Sequence, residues 1–217
     1  MPIKILYEDN HLLALDKPAG LLTQPSGTVA DSLETQAKAF IKERDRKPKN
    51  VFLHPVHRLD TQASGIVLFA KTQKALERLS ASMRAKEFRK IYIAMVAGST
   101  PPADGVYVDF LLHGDHKAVI VDSSHAGAKR SELVVSSVEA HGPNQWKLTI
   151  DLITGRYHQI RAQLASRGFP ILGDAKYGSA IPFAANTIAL HHSQLSFPHP
   201  TLHTTVLIEA HGPDLPT

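Results

Sequence analysis

The sequence predicts an α+β fold, and three observations carry the prediction. Short runs of alternating apolar residues outnumber helical stripes, the segments joining them are short and rich in Gly, Pro and Asp, and the second half of the chain has no room for long crossover helices. Short connections favour antiparallel neighbours, because parallel strands need a crossover of a dozen residues or more.

A strand pair is predicted at 3–7 and 12–15, where apolar residues alternate and turn formers follow at Asp9 and Asn10 and again at 18–20. Asp31 and Ser32 read as a helix cap. Leu33, Ala37, Phe40 and Ile41 then fall close to helical spacing, and the helix should fray into the charged segment 44–50. Residues 65–70 are a β-favouring apolar run, and 73–86 carry Leu76, Leu79 and Met83 on one helical stripe that belongs in the core. Residues 88–96 alternate as a strand, and 98–105 form the clearest turn cluster, placed to join two halves of one sheet. Further strands are predicted at 106–110, 118–121, 131–138 and 146–153, a short helix at 158–167, and closing strands at 187–195 and 205–209.

The chain has 217 residues, 43% of them hydrophobic and 20% charged, enough for one substantial core. No linker or internal repeat divides it, so a single domain over 1–217 is expected. The absence of cysteine excludes disulfides, thiolate nucleophiles and Cys-ligated metal sites. The N-terminal residues alternate apolar and charged types and contain neither a signal-peptide core nor the ~20 apolar residues of a membrane span. A cytoplasmic protein is expected.

The net charge is only +4, but its placement is uneven. Between positions 38 and 90 there are fourteen Lys and Arg against five Asp and Glu, and the rest of the chain carries a surplus of five negative charges. For 42–50 alone this reads as a solvated helix end; over the whole segment it reads as a surface facing a polyanion.

Phosphate-binding glycine loops, the nucleophile elbow and the zinc-protease helix motif do not occur. Thirteen histidines include the pairs His54/His57, His113/His116 and His191/His192, yet none has ligand spacing with a carboxylate, and no metal is expected. Two polar segments stand out. Residues 54–65 put His54, His57, Arg58 and Asp60 just before an apolar strand, and 154–163 crowd Arg156, His158, Gln159 and Arg161 at a strand-to-helix junction. An Asp60–Arg161 pair would hold the carboxylate ionised, as suits a nucleophile or base; it would equally serve as an ordinary structural ion pair, and spacing alone leaves both open.

The motif letters go further. His57-Arg58-Leu59-Asp60 with Ser64-Gly65, then Gly155-Arg156, His158-Gln159-Ile160-Arg161 and Gly173-Asp174 with Tyr177-Gly178, resemble the RluA family of RNA pseudouridine synthases. Asp16-Lys17-Pro18-Ala19-Gly20-Leu21, the Lys90, Tyr92, Ala94, Val96 series and His191, Leu195, Phe197 and His199-Pro200 follow in the family's order, so the resemblance spans nearly the whole chain.

The resemblance implies a single catalytic domain with a mixed, largely antiparallel sheet and a central cleft. It implies isomerisation of uridine to pseudouridine in tRNA or rRNA, by a monomer that uses no metal or cofactor. Asp60 matches the catalytic aspartate, Tyr92 the active-site tyrosine and Arg161 the arginine that pairs with the aspartate. Attack by the carboxylate falls on the base or on the ribose, the glycosidic bond breaks, the base turns and a carbon–carbon bond forms. A stacked uridine must be turned out first, and Arg58 is the candidate to fill its place. His57, Arg156, His158, Lys86, Arg89 and Lys90 are candidates for binding the RNA.

Two positions depart from the family's usual letters, Ala63 and Tyr157, where Thr is common; Ala-Gln-Leu after Arg161 replaces a commoner Val-His-Leu. Ala63 lacks a hydroxyl near the aspartate, and Tyr157 adds bulk beside His158. Many relatives carry an N-terminal S4 domain, whereas the first motif here begins at Asp16, so a compact member is expected. The rival readings are an RNA-binding module that has lost its chemistry and a carboxylate-dependent nucleosidase.

Overall fold

The computed structural model describes residues 3–212, and the chain divides into two compact units. The first comprises 3–89 and 192–212, the second 90–191.

In the first unit, β1 (Ile5–Glu8) and β2 (Leu12–Lys17) form the expected antiparallel hairpin, closed by Asp9, whose carboxylate accepts from the amides of His11 and Leu12. The central strand β4 (Ser64–Ala70) is buried along its whole length and pairs antiparallel with β2, placing Lys17 opposite Gly65. A two-residue β3 (His54–Pro55) pairs with the far end of β4. On the other side of β4 lies β10 (Leu190–Pro198), which pairs antiparallel with β11 (Thr205–Glu209). Helix α1 (Leu33–Arg44) starts at Ser32, whose hydroxyl accepts from the Thr35 amide, and α2 (Gln73–Arg84) starts at Thr72 in the same way. The α2 stripe packs into the core: Leu79 is fully buried and Leu76 and Met83 partly, against Ile66, Leu68, Phe88 and Phe197. The helix stops at Arg84, short of the expected Lys86, because Lys86 takes a left-handed conformation at φ +62°.

The second unit carries antiparallel strands in the order β5-β9-β8-β6-β7, comprising β5 (Arg89–Ala97), β6 (Gly105–His113), β7 (Ala118–Val121), β8 (Lys129–Gly142) and β9 (Gln145–Leu152). All five were expected as strands. Helix α3 (Gln159–Ala165) rests on β6 and β7. Residues 170–172 run along β5, with Leu172 N donating to Met95 O and Ala97 N to Pro170 O. The strand expected from 187 begins only at Leu190, because Ala189 is spent on Met95 and Leu172 of that segment. Among the described residues, no helix is long and apolar enough to cross a membrane.

Candidate active site

Asp60 sits in a turn between β3 and β4 that is pinned on both sides. Upstream, Leu59 is buried, and its amide and carbonyl both bond the Thr23 hydroxyl at 3.2 Å. Downstream, the Thr61 carbonyl accepts from Gly20 N (2.7 Å) and from Lys17 Nζ (3.1 Å). Ala63 N closes the turn on Asp60 O at 3.1 Å. Ala63 is itself fully buried, so main-chain bonds and the Thr23 hydroxyl brace the turn where a hydroxyl at 63 is missing.

Lys17 is the unexpected member of this group. Its side chain is 0% exposed, and its ammonium also donates to Pro18 O (2.9 Å) and Leu21 O (2.7 Å). Burial lowers its pKa to about 8, and the nearby Asp60 carboxylate opposes that fall by favouring the charged form. Asp60, half-buried, therefore has a fixed cation behind its turn.

His57 supports the turn from the other side. Its Nε2 accepts from Leu68 N at 3.2 Å, beside the Val56 N to Leu68 O bond, so the ring extends the strand ladder of β4. It meets His192 edge-on at 5.3 Å. Gly65 has φ +113°, and a Cβ there would fall 2.4 Å from His192 O; the Ser64-Gly65 pair thus marks a close backbone approach between β4 and β10. Arg58, Lys86 and Arg89 are exposed. Elsewhere in the basic segment, charge is partly neutralised: Arg44 and Lys71 both bind Glu8, and Lys38 binds Glu34.

The second unit carries the other two proposed catalytic residues. Tyr92 lies on β5 opposite Ile150 and is 6% exposed. Arg161 on α3 is buried, and Asp174 holds its guanidinium through Nε (2.7 Å) and Nη2 (2.8 Å), a bidentate ion pair. Arg161 Nη1 lies 3.0 Å from His158 Nε2, and since arginine only donates, that nitrogen is the acceptor and the ring proton sits on Nδ1. His158 Nδ1 in turn reaches the Tyr177 hydroxyl at 3.1 Å, which is anchored by the Ala118 amide at 2.8 Å. The Tyr177 ring also lies 5.0 Å from the guanidinium carbon.

His158 takes a left-handed conformation, φ +50°, which is why α3 starts one residue later than the periodicity suggests. Gln159 fastens the approach to the helix: its Oε1 accepts from Thr154 Oγ1 and Arg156 N, and its Nε2 donates to Glu132 O. Arg156 is exposed. Lys90 is partly buried, its pKa lowered by burial and supported by Asp151, with its ammonium beside Gly155.

Asp174, Tyr177 and Lys17 were visible as motif letters without a role. The signal for Lys17 was its place at the end of a strand that opens on four core residues; for Asp174 and Tyr177 nothing local tells a partner of Arg161 from a loop residue. Among the described residues, no three His, Asp or Glu side chains gather as metal ligands would.

A family model described as RNA pseudouridylate synthase matches residues 11–166. The chain is 32% identical over 204 residues to the dual-specificity RNA pseudouridine synthase RluA of Salmonella typhi, covering 90% of this chain and 87% of that protein. It is 31% identical over 214 residues to RluA of Escherichia coli K12, covering 95% and 91%. Against the ribosomal large subunit pseudouridine synthase D of Pseudomonas aeruginosa the identity is 31% over 211 residues, 94% of this chain but only 63% of the longer protein. Two solved structures share the fold: human RNA pseudouridylate synthase domain containing 4, with TM-score 0.79, 22% identity and coverage of 97% and 89%, and human RNA pseudouridylate synthase domain containing 1, with TM-score 0.77, 22% identity and coverage of 99% and 85%. With the motifs in order from Asp16 to Pro200 and the family model matched across most of its length, the chain belongs to the RluA family of RNA pseudouridine synthases.

Proposed function

We propose that this protein converts uridine to pseudouridine at specific positions of structured RNA, tRNA or rRNA, as a cytoplasmic monomer without metal or cofactor. The observation that carries the reading is the Asp60 turn: a half-exposed carboxylate on a rigidly braced loop, with a buried ammonium behind it, in a chain of this family. The names of the relatives, which refer to RNA and to the large ribosomal subunit, support the substrate class. The family match runs through both units, which supports reading 1–217 as one catalytic domain; its first two and last five residues lie outside the described ones.

Asp60 is the nucleophile. The bond between N1 and the ribose breaks, the base turns within the site, and C5 bonds to the ribose as its proton leaves and N1 regains one; atoms and charge balance, so nothing external is consumed. Arg161, clamped by Asp174, is the arginine that serves the aspartate, and Tyr92 stacks on the base and handles the proton. Arg58, exposed two residues from Asp60, takes the place of the extruded uridine. Exposed Arg156, Lys86 and Arg89 bind phosphate, Lys90 adds charge beside Gly155, and His57 and His158 shape the RNA site from within.

The test is incubation of the protein and of Asp60→Ala with unmodified total tRNA and rRNA transcripts, followed by pseudouridine-specific mapping. New pseudouridine at one or two positions, absent with the variant, supports the reading. RNA binding without product by the wild-type protein points to the binding module, and release of free uracil points to a nucleosidase.

A further inference from the structure

Tyr157 is one of the chain's departures from the family's usual letters, and the reaction as described makes no use of it. It is 42% exposed, yet it is not loose. Its ring stacks on His158 at 3.8 Å with 19° between the planes, and its hydroxyl points toward His116 O at 3.4 Å. His158 is buried and fixed at both ring nitrogens, by Arg161 and by Tyr177. The exposed His113 at the end of β6 leans on Tyr157 at 4.3 Å and 59°, a looser contact. Exposed cations lie near Tyr157 in the chain or through a shared carbonyl: Arg156 next in sequence, Lys117 beside His116, and Lys176, whose ammonium reaches the same His116 carbonyl at 3.1 Å. Asp115 is the acidic residue of that loop.

A pre-oriented, half-open aromatic ring with cations near it is the arrangement on which unpaired nucleobases stack while the neighbouring phosphates are neutralised. Because the ring is already held by His158, little rotamer freedom is lost when a base lands on it. We propose that Tyr157 is a stacking platform for an unpaired base of the RNA substrate flanking the target uridine, with Arg156, Lys117 and Lys176 contacting the adjoining phosphates. The base displaces the exposed His113 ring. This rests on the reading of the protein as an RNA-modifying enzyme, but it concerns binding and is measured apart from chemistry.

The experiment is equilibrium binding of the unmodified tRNA and rRNA transcript pools by wild-type, Tyr157→Ala, Tyr157→Thr and Tyr157→Phe proteins across a salt series, with pseudouridine formation recorded separately. The platform predicts about tenfold weaker binding for the Ala and Thr variants, near the low end for one stacked base, with an unchanged slope of log K against log salt, and wild-type affinity for Phe. Arg156→Ala should instead lower that slope by about one. Wild-type affinity in Tyr157→Ala overturns the proposal, as does a loss confined to melting temperature and turnover, which would mean that Tyr157 only covers His158. Absence of pseudouridine with the wild-type protein counts against the catalytic reading alone, since stacking is read from binding.

Discussion

The Asp60 turn and the Arg161 node solve opposite problems. The Asp60 turn is braced through its backbone: Thr23 holds Leu59, Lys17 and Gly20 hold the Thr61 carbonyl, and Ala63 closes on the Asp60 carbonyl. The carboxylate stays half-exposed, with a cation at one remove. At Arg161 the bracing is of the charge itself: Asp174 takes two guanidinium nitrogens and His158 a third, in a site that is 1–2% exposed at the ion pair. One site fixes the main chain of a loop, and the other fixes a buried charge.

That contrast is broken most sharply by substituting the two carboxylates. Asp60→Ala should lower pseudouridine formation by ~10³-fold or more while the melting temperature moves by less than about 2 °C, since Thr23, Lys17, Gly20 and Ala63 hold the turn through its main chain. Asp174→Ala should do the reverse first: leaving Arg161 buried without its clamp costs ~3–5 kcal/mol, or about 10 °C in melting temperature, measured by denaturation before any assay. Equal losses of stability in the two variants would erase the distinction.

Lys17 sharpens it through pH. Its folded pKa of about 8 lies below its ordinary value of 10.5, so between these the unfolded chain binds the extra proton and folding stability rises with pH. Activity should run the other way, falling as the pH is raised through about 8 and the ammonium behind Asp60 is lost. Lys17→Met should lower turnover about tenfold at pH 7 and abolish that falling limb in a pH–rate profile.

The smallest effect belongs to the ion pairs of Glu8. Glu8 is held at a pKa of about 2, chiefly by hydrogen bonding to Arg44, with Lys71 adding to it. Its depressed pKa means that the contribution is complete above the usual carboxylate range and fades as the pH falls toward 2. Glu8→Gln should cost less than about 1 kcal/mol at neutral pH, partial exposure discounting the pair.

The fold was largely legible because side-chain patterning reports burial directly: alternation in β5, and an unbroken apolar run in β4, where every residue is interior. Boundaries shifted where a single residue left the regular conformation: His158 and Lys86 turned left-handed, and Ala189 was claimed by another segment. The site was legible only through its motif letters. Spacing left the Asp60–Arg161 relation undecided, and the partner that clamps Arg161 within its own unit is Asp174, thirteen residues on in a loop. Lys17 escaped because a lysine at a strand end reads as surface, although three carbonyls converge on it.

The most direct test of the account is the isosteric variant Asp60→Asn, compared with wild type for pseudouridine yield on total tRNA and rRNA transcripts alongside its melting temperature and RNA affinity. The account predicts no pseudouridine from a variant that folds and binds RNA as wild type does. Pseudouridine formed at a wild-type rate would contradict it, because the carboxylate on that turn would then not be the nucleophile.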